Sequence, residues 1–203
     1  MAQSLNYRKE SASQTAGPYV HIGLAPGAAG FDIYAHELGW DIAGPDAPGE
    51  RIRIEGMVFD GTGALVKDVM LEVWQADAAG VYPHPEDPRA NQVARGFRGW
   101  GRVITDFDTG LWAFDTIKPG SVKGRNACPM APHISLWIVA RGINIGLNSR
   151  IYFEDEDNSA DPVLKLVEQP LRRETLLARK VKPGLYRFDI RLQGDGETVF
   201  LDI

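Results

Sequence analysis

The sequence is short of the residues that build most disulfide and metal sites. Its single cysteine, Cys128, cannot form an internal disulfide, which fits a cytoplasmic protein. The only histidines are four scattered residues, His21, His36, His84 and His133. No two of them stand two or four positions apart, as zinc-binding pairs on one strand or helix do. A zinc site built from this chain alone is therefore not expected.

Other absences exclude whole classes of function. No apolar run is long enough to cross a bilayer, and the first residues lack the apolar core of a signal peptide. The formal net charge is −5 and basic residues do not cluster, which argues against a nucleic-acid partner. The sequence has neither the G-x-S-x-G of a serine hydrolase nor the G-x-G-x-x-G of a dinucleotide-binding fold.

What the sequence does contain is a series of short apolar segments separated by Gly, Pro and Asp. Such segments predict strands, and an Asp-Pro pair predicts the start of a helix. The predicted strands are 51–59, 69–77, 111–117, 134–140, 149–155, a hairpin of 175–181 with 185–194, and a closing strand 197–203; the predicted helix is 161–169. Trp74 and Trp137 are expected in the core of the resulting sheets.

This pattern predicts an all-β fold with a β-sandwich core of short strands in mixed topology, an extended N-terminal arm and one or two short helices. The chain divides at about residue 48. Residues 1–48 have little periodicity and many Gly, Pro and Ala, so this arm cannot bury enough surface to fold alone. It is expected to wrap on a larger body, and residues 49–203 form the predicted sandwich domain.

Four segments resemble the intradiol ring-cleaving dioxygenase family. They are LEVWQADAAGVYPH, FDTIKPG, APHISLWI and RIYFEDE, at residues 71–84, 114–120, 131–138 and 150–156. The opening SQTAGPYVHIG and the ending YRFDIRLQGDGETVFLDI resemble, more narrowly, alpha subunits of the family. The resemblance covers nearly the whole chain. It implies a β-sandwich and a non-haem ferric iron held by two tyrosines and two histidines; a catechol chelates the iron and O2 opens the ring between its hydroxyls.

The resemblance assigns the four iron-ligand positions to residues of this chain. The tyrosine positions fall on Tyr82 and Val122, and the histidine positions fall on His133 and Ser135. An arginine that usually precedes the first histidine by three corresponds to Met130. Ferric iron is a hard cation that favours anionic oxygen, with imidazoles completing its shell. Two remaining donors are too few, so the resemblance implies that Tyr82 and His133 are vestigial and that this chain holds no metal.

The resemblance also implies a partner. An alpha subunit of this kind pairs with an iron-bearing beta subunit of the same fold, and higher hetero-oligomers are expected. Together they cleave 3,4-dihydroxybenzoate (protocatechuate) with O2 to 3-carboxy-cis,cis-muconate. This chain supplies no catalytic residue of its own; its implied substrate-binding residues are Thr15, Gly17, Pro18 and Tyr19 of the arm, and Arg141. A guanidinium suits a substrate carboxylate, although strand-end arginines are commonly just solvated.

Two alternatives stay open. Taken without the family, the residues predict a β-sandwich with no complete catalytic constellation. An intradiol dioxygenase that binds its own iron would show the colour of ferric-phenolate charge transfer as an isolated chain. A transthyretin-like carrier of small ligands would bind them without consuming oxygen. The number of alpha–beta units and the range of substrates are not determined by the sequence.

Overall fold

The computed structural model describes residues 12–17, 19–124 and 127–202. Its elements in chain order are α1 Tyr19–Leu24, β1 Arg51–Gly56, β2 Val58–Phe59, β3 Met70–Gln75, a 3-10 helix Ala90–Gln92, β4 Trp100–Ile104, β5 Trp112–Ile117, β6 Val122–Lys123, β7 Pro129–Met130, β8 His133–Val139, β9 Leu147–Phe153, α2 Pro162–Leu166, α3 Pro170–Glu174, β10 Leu177–Lys182, β11 Leu185–Arg187 and β12 Ile190–Arg191. None of the helices in these ranges has the length and hydropathy needed to cross a membrane.

Eight of the strands form one mixed sheet in the order β4-β3-β8-β9-β10-β11-β1-β5. The β9–β10 and β11–β1 pairs are parallel, and the other neighbours are antiparallel. The first four strands and the last four make two layers that pack face to face on a shared core. The edge strands β4 and β5 also contact each other, so the sandwich is close to a closed barrel.

Strand alternation decides which side chains enter the core. In β8 the even-numbered residues from Ile134 to Ile138 belong to the core, while the odd-numbered residues point to the outer face. The expectation of core positions for Trp74 and Trp137 is wrong. Trp137 is 38% exposed and Trp74 is half-buried, because both share the parity of the outer face.

The all-β prediction is confirmed. The strands predicted at 51–59, 69–77, 111–117, 134–140 and 149–155 are found with ends shifted by about two residues at most. The predicted hairpin is also found, since β10 and β11 pair antiparallel across a turn at Pro183 and Gly184. The segment then leaves the large sheet, and β12 pairs in parallel with β2.

Two features of the sheet were not foreseen correctly. The predicted closing strand 197–203 is wrong for the residues described, which form only an isolated bridge between Asn148 and Leu201. The edge strand β4 was not predicted, because Gly101 interrupts its apolar pattern. A Cβ at Gly101 would overlap the side chain of Ile42, so glycine lets the arm lie directly on this strand.

Among the described residues there are three short α-helices, where one or two were predicted. The predicted helix at 161–169 begins as expected: Asp161 caps α2, and its carboxylate accepts hydrogen bonds from the backbone N–H groups of Val163 and Leu164 at 2.8 and 2.9 Å. It ends earlier, at Leu166, and α3 follows with its own proline at the first turn. The third helix, α1, lies in the arm that was predicted to be extended.

The described part of the arm packs on the sandwich. Ile42 is 1% exposed and belongs to the main core, and Ala47 packs against Ile117 at the end of β5. The guanidinium of Arg102 on β4 donates to the Leu24 carbonyl at 2.8 Å. These contacts fix the path of the arm across β4.

Candidate functional site

The turn before Tyr82 is closely determined by its sequence. The Asp77 carboxylate accepts hydrogen bonds from the backbone N–H groups of Ala79 and Val81, both at 2.9 Å. Gly80 has a φ of 72°, and a Cβ there would overlap the carbonyl of Ser121. The loop that carries Tyr82 therefore lies directly on the segment that leads into β6.

Neighbouring strands bring the other ligand positions to the same place. Trp74 is the cross-strand partner of Ser135, and its ring stacks on Tyr82 with 5.6 Å between centroids. Val122 begins β6 and pairs with Met130 on β7. The four positions that the family resemblance links to iron therefore surround one outer face of the sheet.

His133 is neutral and hydrogen-bonded. Its side chain is 2% exposed, and Nδ1 lies 2.7 Å from the carbonyl oxygen of Ala131, which can only accept, so this nitrogen carries the hydrogen. Burial, together with the charge of Arg150, lowers the pKa of His133 to about 4, although the Ala131 hydrogen bond and Asp161 oppose the shift.

A polar network lies beside His133 on the same face. In the β8–β9 register, Tyr152 pairs with His133 and Arg150 pairs with Ser135. The Tyr152 hydroxyl donates to the Asp161 carboxylate at 3.1 Å, and Arg150 Nη1 donates to the Tyr152 oxygen at 3.3 Å. Burial raises the pKa of Tyr152 well above its usual value, with Arg150 opposing, so this phenol stays protonated.

The residues around this face do not fit a ferric ion. Tyr82 and His133 remain as donors, whereas Val122 offers none and Ser135 offers a neutral hydroxyl. Burial raises the pKa of Tyr82, with the charge of Arg150 opposing, which disfavours the phenolate that iron requires. In the part of the chain that the structure describes, no three His, Cys, Asp or Glu side chains come together as a metal site.

A second group of predicted site residues lies at the other end of β8. The Arg141 side chain is 69% exposed, and its Nε donates to the carboxylate of Asp68. The backbone N–H of Gly142 donates to Thr15 Oγ1 at 2.6 Å, which holds the arm beside Arg141. Eight residues separate Arg141 from His133, roughly 26 Å along an extended strand.

The remaining arm residues lie near the start of α1. The Gly17 carbonyl accepts a hydrogen bond from the Val20 N–H at 3.0 Å, and Tyr19 is 83% exposed. Pro18 lies outside the described residues. The structure thus brings Thr15 to Arg141 and leaves Tyr19 pointing into solvent.

A groove of about 1450 Å³ runs beside Arg141 and is also lined by His21, Asp68 and Phe107. The His21 ring is 8% exposed and lies edge-on to Phe107 at 5.3 Å between centroids. Burial lowers the pKa of His21, while Asp68 opposes this shift and Arg141 adds to it. Within the described residues, His21 Nε2 has no hydrogen-bond partner.

Several residues around His133 and around Arg141 were not predicted from the sequence as part of a site. Arg150 and Tyr152 stand at alternate positions of RIYFEDE, so the sequence indicates that they share one face of a strand. Their pairing with residues of β8 becomes known only from the strand register in the structure. Asp161 was predicted only as a helix cap. Asp68 precedes β3, and no sequence signal pairs it with Arg141.

Comparison with known sequences gives a consistent result. Residues 33–194 match a protein-family model described as Dioxygenase. The chain is 52% identical over 198 residues to the protocatechuate 3,4-dioxygenase alpha chain of Pseudomonas putida, covering 95% of this chain and 96% of that one. It is 43% identical over 202 residues to the alpha chain from Burkholderia cepacia, covering 96% and 98%. Identity to the beta chain from Burkholderia cepacia is 34% over 160 residues, covering 74% and 67%.

A solved structure shows the same fold at lower identity. Catechol 1,2-dioxygenase from Acinetobacter sp. ADP1 superposes with a TM-score of 0.58 at 20% sequence identity. The match covers 80% of this chain and 60% of the other. At this identity the comparison supports the fold alone.

Proposed function

The chain belongs to the intradiol ring-cleaving dioxygenase family, and we propose that it is the iron-free alpha chain of an enzyme that cleaves protocatechuate. The family uses iron. In the proposal, a beta chain of the same fold holds that iron, and the assembled enzyme converts 3,4-dihydroxybenzoate and O2 to 3-carboxy-cis,cis-muconate. The observation that carries the proposal is similarity to two alpha chains over nearly the whole length.

The residues at the four ligand positions support the proposal that the beta chain, and not this chain, holds the iron. Val122 and Ser135 cannot replace a phenolate and an imidazole. Of the remaining pair, His133 is buried with a lowered pKa, and Tyr82 is half-buried with a raised pKa, so both favour the neutral form. The iron chemistry therefore belongs to the partner. This chain contributes surface, shape and charge to the partner's substrate pocket.

Arg141 is the residue of this chain that we assign to the substrate carboxylate. Its guanidinium is planar and permanently charged, and it forms paired hydrogen bonds with carboxylates. Among the described residues, Arg141 donates to Asp68 through Nε and makes no hydrogen bond through its two terminal nitrogens, and its side chain is 69% exposed. Thr15, Gly17, Pro18 and Tyr19 line the same pocket in the proposal, and the Thr15 contact beside Arg141 supports this.

The surface of the arm supports an association with a partner chain. Its exposed apolar side chains include Tyr19, Ile33, Tyr34, Leu38 and Trp40, each more than half exposed. Large apolar groups concentrated in one segment mark protein–protein interfaces. We therefore infer that residues 1–48 wrap on the beta chain and that the enzyme is a hetero-oligomer.

The proposed location of this assembly is the cytoplasm. Cys128 is the only cysteine of the sequence, and its thiol is exposed. An exposed single thiol and the absence of disulfides suit a reducing compartment. Cell fractionation followed by detection of the chain checks this assignment.

Co-expression tests the proposed function directly. The chain is produced alone and together with the neighbouring reading frame that resembles a beta chain, and both preparations are assayed for iron and for protocatechuate-dependent O2 consumption. The expected result is activity and colour only in the co-expressed protein, with both chains in a fixed ratio. Iron and turnover in the isolated chain would instead support the self-sufficient enzyme, and binding without O2 consumption in every preparation would support the carrier.

A further inference from the structure

Arg150 lies beside the positions that the family resemblance links to iron. It is the cross-strand partner of Ser135, the position of the second histidine. Its Nη1 lies 3.6 Å from the sulfur of Met130, the strand partner of Val122, which is the position of the second tyrosine. The same guanidinium nitrogen donates to the hydroxyl of Tyr152.

The other two positions are connected to Arg150 through one or two neighbouring residues. The Tyr152 hydroxyl that Arg150 contacts belongs to a ring 5.7 Å from that of His133. Tyr82 stacks on Trp74, which is the other strand partner of Ser135. The guanidinium is therefore paired by register with Ser135, one residue removed from Val122 and His133, and on the same face as Tyr82.

The charge of Arg150 is not balanced by an acidic side chain within the described residues. Among residues 12–17, 19–124 and 127–202, no carboxylate lies within ion-pair distance of its guanidinium. Asp161 is reached only through the hydroxyl of Tyr152. A half-buried cation is usually paired, so its position here is not explained by a salt bridge.

We propose that the Arg150 guanidinium takes the place of the metal ion in this chain, as an internal cation among the former ligand positions. This inference rests on the proposed function, because it uses the assignment of those positions. A guanidinium among the ligand positions disfavours a trivalent ion there, since like charges repel where water is excluded. Two changes thus keep the chain metal-free: the loss of donors at Val122 and Ser135, and the gain of positive charge at Arg150.

Restoring the donors with and without the arginine tests the inference. Val122→Tyr/Ser135→His is prepared in the full chain, with and without Arg150→Gln, and the iron bound per chain is measured together with the visible ferric-phenolate absorption. The unmodified chain, purified in the same way, supplies the baseline, so that iron held by a partner is subtracted. We expect close to one additional ferric ion per chain, with colour, only in the triple variant.

A charge control separates repulsion from shape. Arg150→Lys in the restored background keeps the positive charge and should stay without iron, whereas Arg150→Gln keeps hydrogen-bonding capacity without the charge. Equal iron in the double and triple variants, iron in the lysine variant, or no iron in a folded triple variant would each overturn the inference. Iron in the unmodified chain purified without a partner chain would overturn the proposed function instead.

A milder pair of variants applies if the triple variant does not fold. Ser135→His is compared with Ser135→His/Arg150→Gln, which leaves three donors including Tyr82 and His133, and zinc binding is followed by calorimetry. Three protein donors and a water are enough for zinc. Zinc binding is expected only without the arginine, and equal binding in both variants would contradict the proposal.

Discussion

Arg141 and His133 stand at opposite ends of β8, and their surroundings lead to different expectations at the scale of single residues. Arg141 is largely exposed and shares its charge with one aspartate, Asp68. His133 is enclosed, neutral and held by a backbone carbonyl. The first is suited to meet a ligand from solvent, and the second is suited to stabilise the fold.

Replacing Arg141 with Ala is expected to weaken the use of protocatechuate. One charge-assisted hydrogen bond is worth roughly 1.5 to 3 kcal/mol, and about 1.4 kcal/mol is a factor of ten. In the co-expressed enzyme, kcat/KM for protocatechuate should fall about ten- to a hundred-fold, with iron content and assembly unchanged. Catechol, which lacks the carboxylate, should be turned over almost as before.

Arg98→Ala is a matched control for this substitution. Arg98 is 65% exposed and pairs with Asp41 at 3.0 Å, so it resembles Arg141 in exposure and pairing but lies away from the groove. It should leave both substrates unaffected. Equal losses for protocatechuate and catechol in the Arg141 variant would show that Arg141 is not a carboxylate contact.

His133 should make the fold sensitive to mild acid. Its pKa is about 4 in the folded chain, against an ordinary value of 6.5, so the unfolded chain takes up the proton first as the pH falls. Its contribution is present above pH 6.5 and is lost between pH 6.5 and 4, on the order of 3 kcal/mol at about 1.4 kcal/mol per pKa unit. Arg150, Tyr152 and Asp161 are the titratable or charged groups that face it.

Urea unfolding at several pH values between 7 and 4 measures this loss. His133→Gln keeps a donor for the Ala131 carbonyl but does not titrate, so the slope of unfolding free energy against pH should flatten in this range. An equally steep slope in the variant would assign the acid sensitivity to other groups.

At the scale of elements, the two layers are joined by a charged cluster at one end of the sandwich. Lys118, just after β5, contacts Asp155 at 3.0 Å and Glu156 at 2.6 Å, beyond β9. Its side chain is only 10% exposed, and its ammonium lies 5.2 Å from the ring centroid of Phe153. Burial disfavours its charge, but the hydrogen bonds that the ammonium donates to these carboxylates raise the pKa of Lys118 above its usual value.

Replacing Lys118 with Met should therefore destabilise the fold. Removing one partner of a buried ion pair leaves the other charge uncompensated, at a cost of about 2 to 4 kcal/mol here, given partial solvent access. Lys180→Met is the matched control, because Lys180 contacts the same Asp155 at 2.8 Å but is 35% exposed. It should cost clearly less than the Lys118 substitution, because solvent-exposed ion pairs contribute little to stability. Urea unfolding curves measure both, and equal losses would contradict the assigned role of Lys118.

At the scale of the whole molecule, one part of the arm is buried in the core of this chain and another part is exposed on its surface. Ile42 enters the main core, whereas Ile33 and Tyr34 stay more than half exposed. The same segment thus anchors to the sandwich at one end and offers apolar surface along the rest. Such a division suits a strap that binds a partner chain while fixed to its own domain.

Deleting residues 1–20 should weaken both association and activity. The deletion removes Thr15, which accepts a hydrogen bond from the backbone beside Arg141, and Tyr19, the most exposed large apolar side chain in the described part of the arm. Co-purification with the partner chain and gel filtration report assembly, and O2 consumption reports activity. A truncated chain that co-purifies in the same ratio and turns over normally would count against the role of the arm.

The sequence alone was enough for the fold class and the family. Alternation predicted most strands, the Asp161-Pro162 pair predicted the start of α2, and long motifs carried the resemblance. These features are local, because strand periodicity, capping and turn chemistry depend on residues near one another in the chain. Val122 and Ser135, which the resemblance aligns with iron-ligand positions, could likewise be located by their place in those motifs.

Only the tertiary structure decided which distant residues meet. Arg150 is placed opposite Ser135 by the register of β8 and β9, and Asp68 is placed beside Arg141 although the two are 73 residues apart. The outward orientation of Trp137 and the unpredicted strand β4 were decided in the same way. Register and layer packing result from the balance of burial over the whole chain. A shift of one residue in the pairing of two strands would turn every side chain of a strand to the other face.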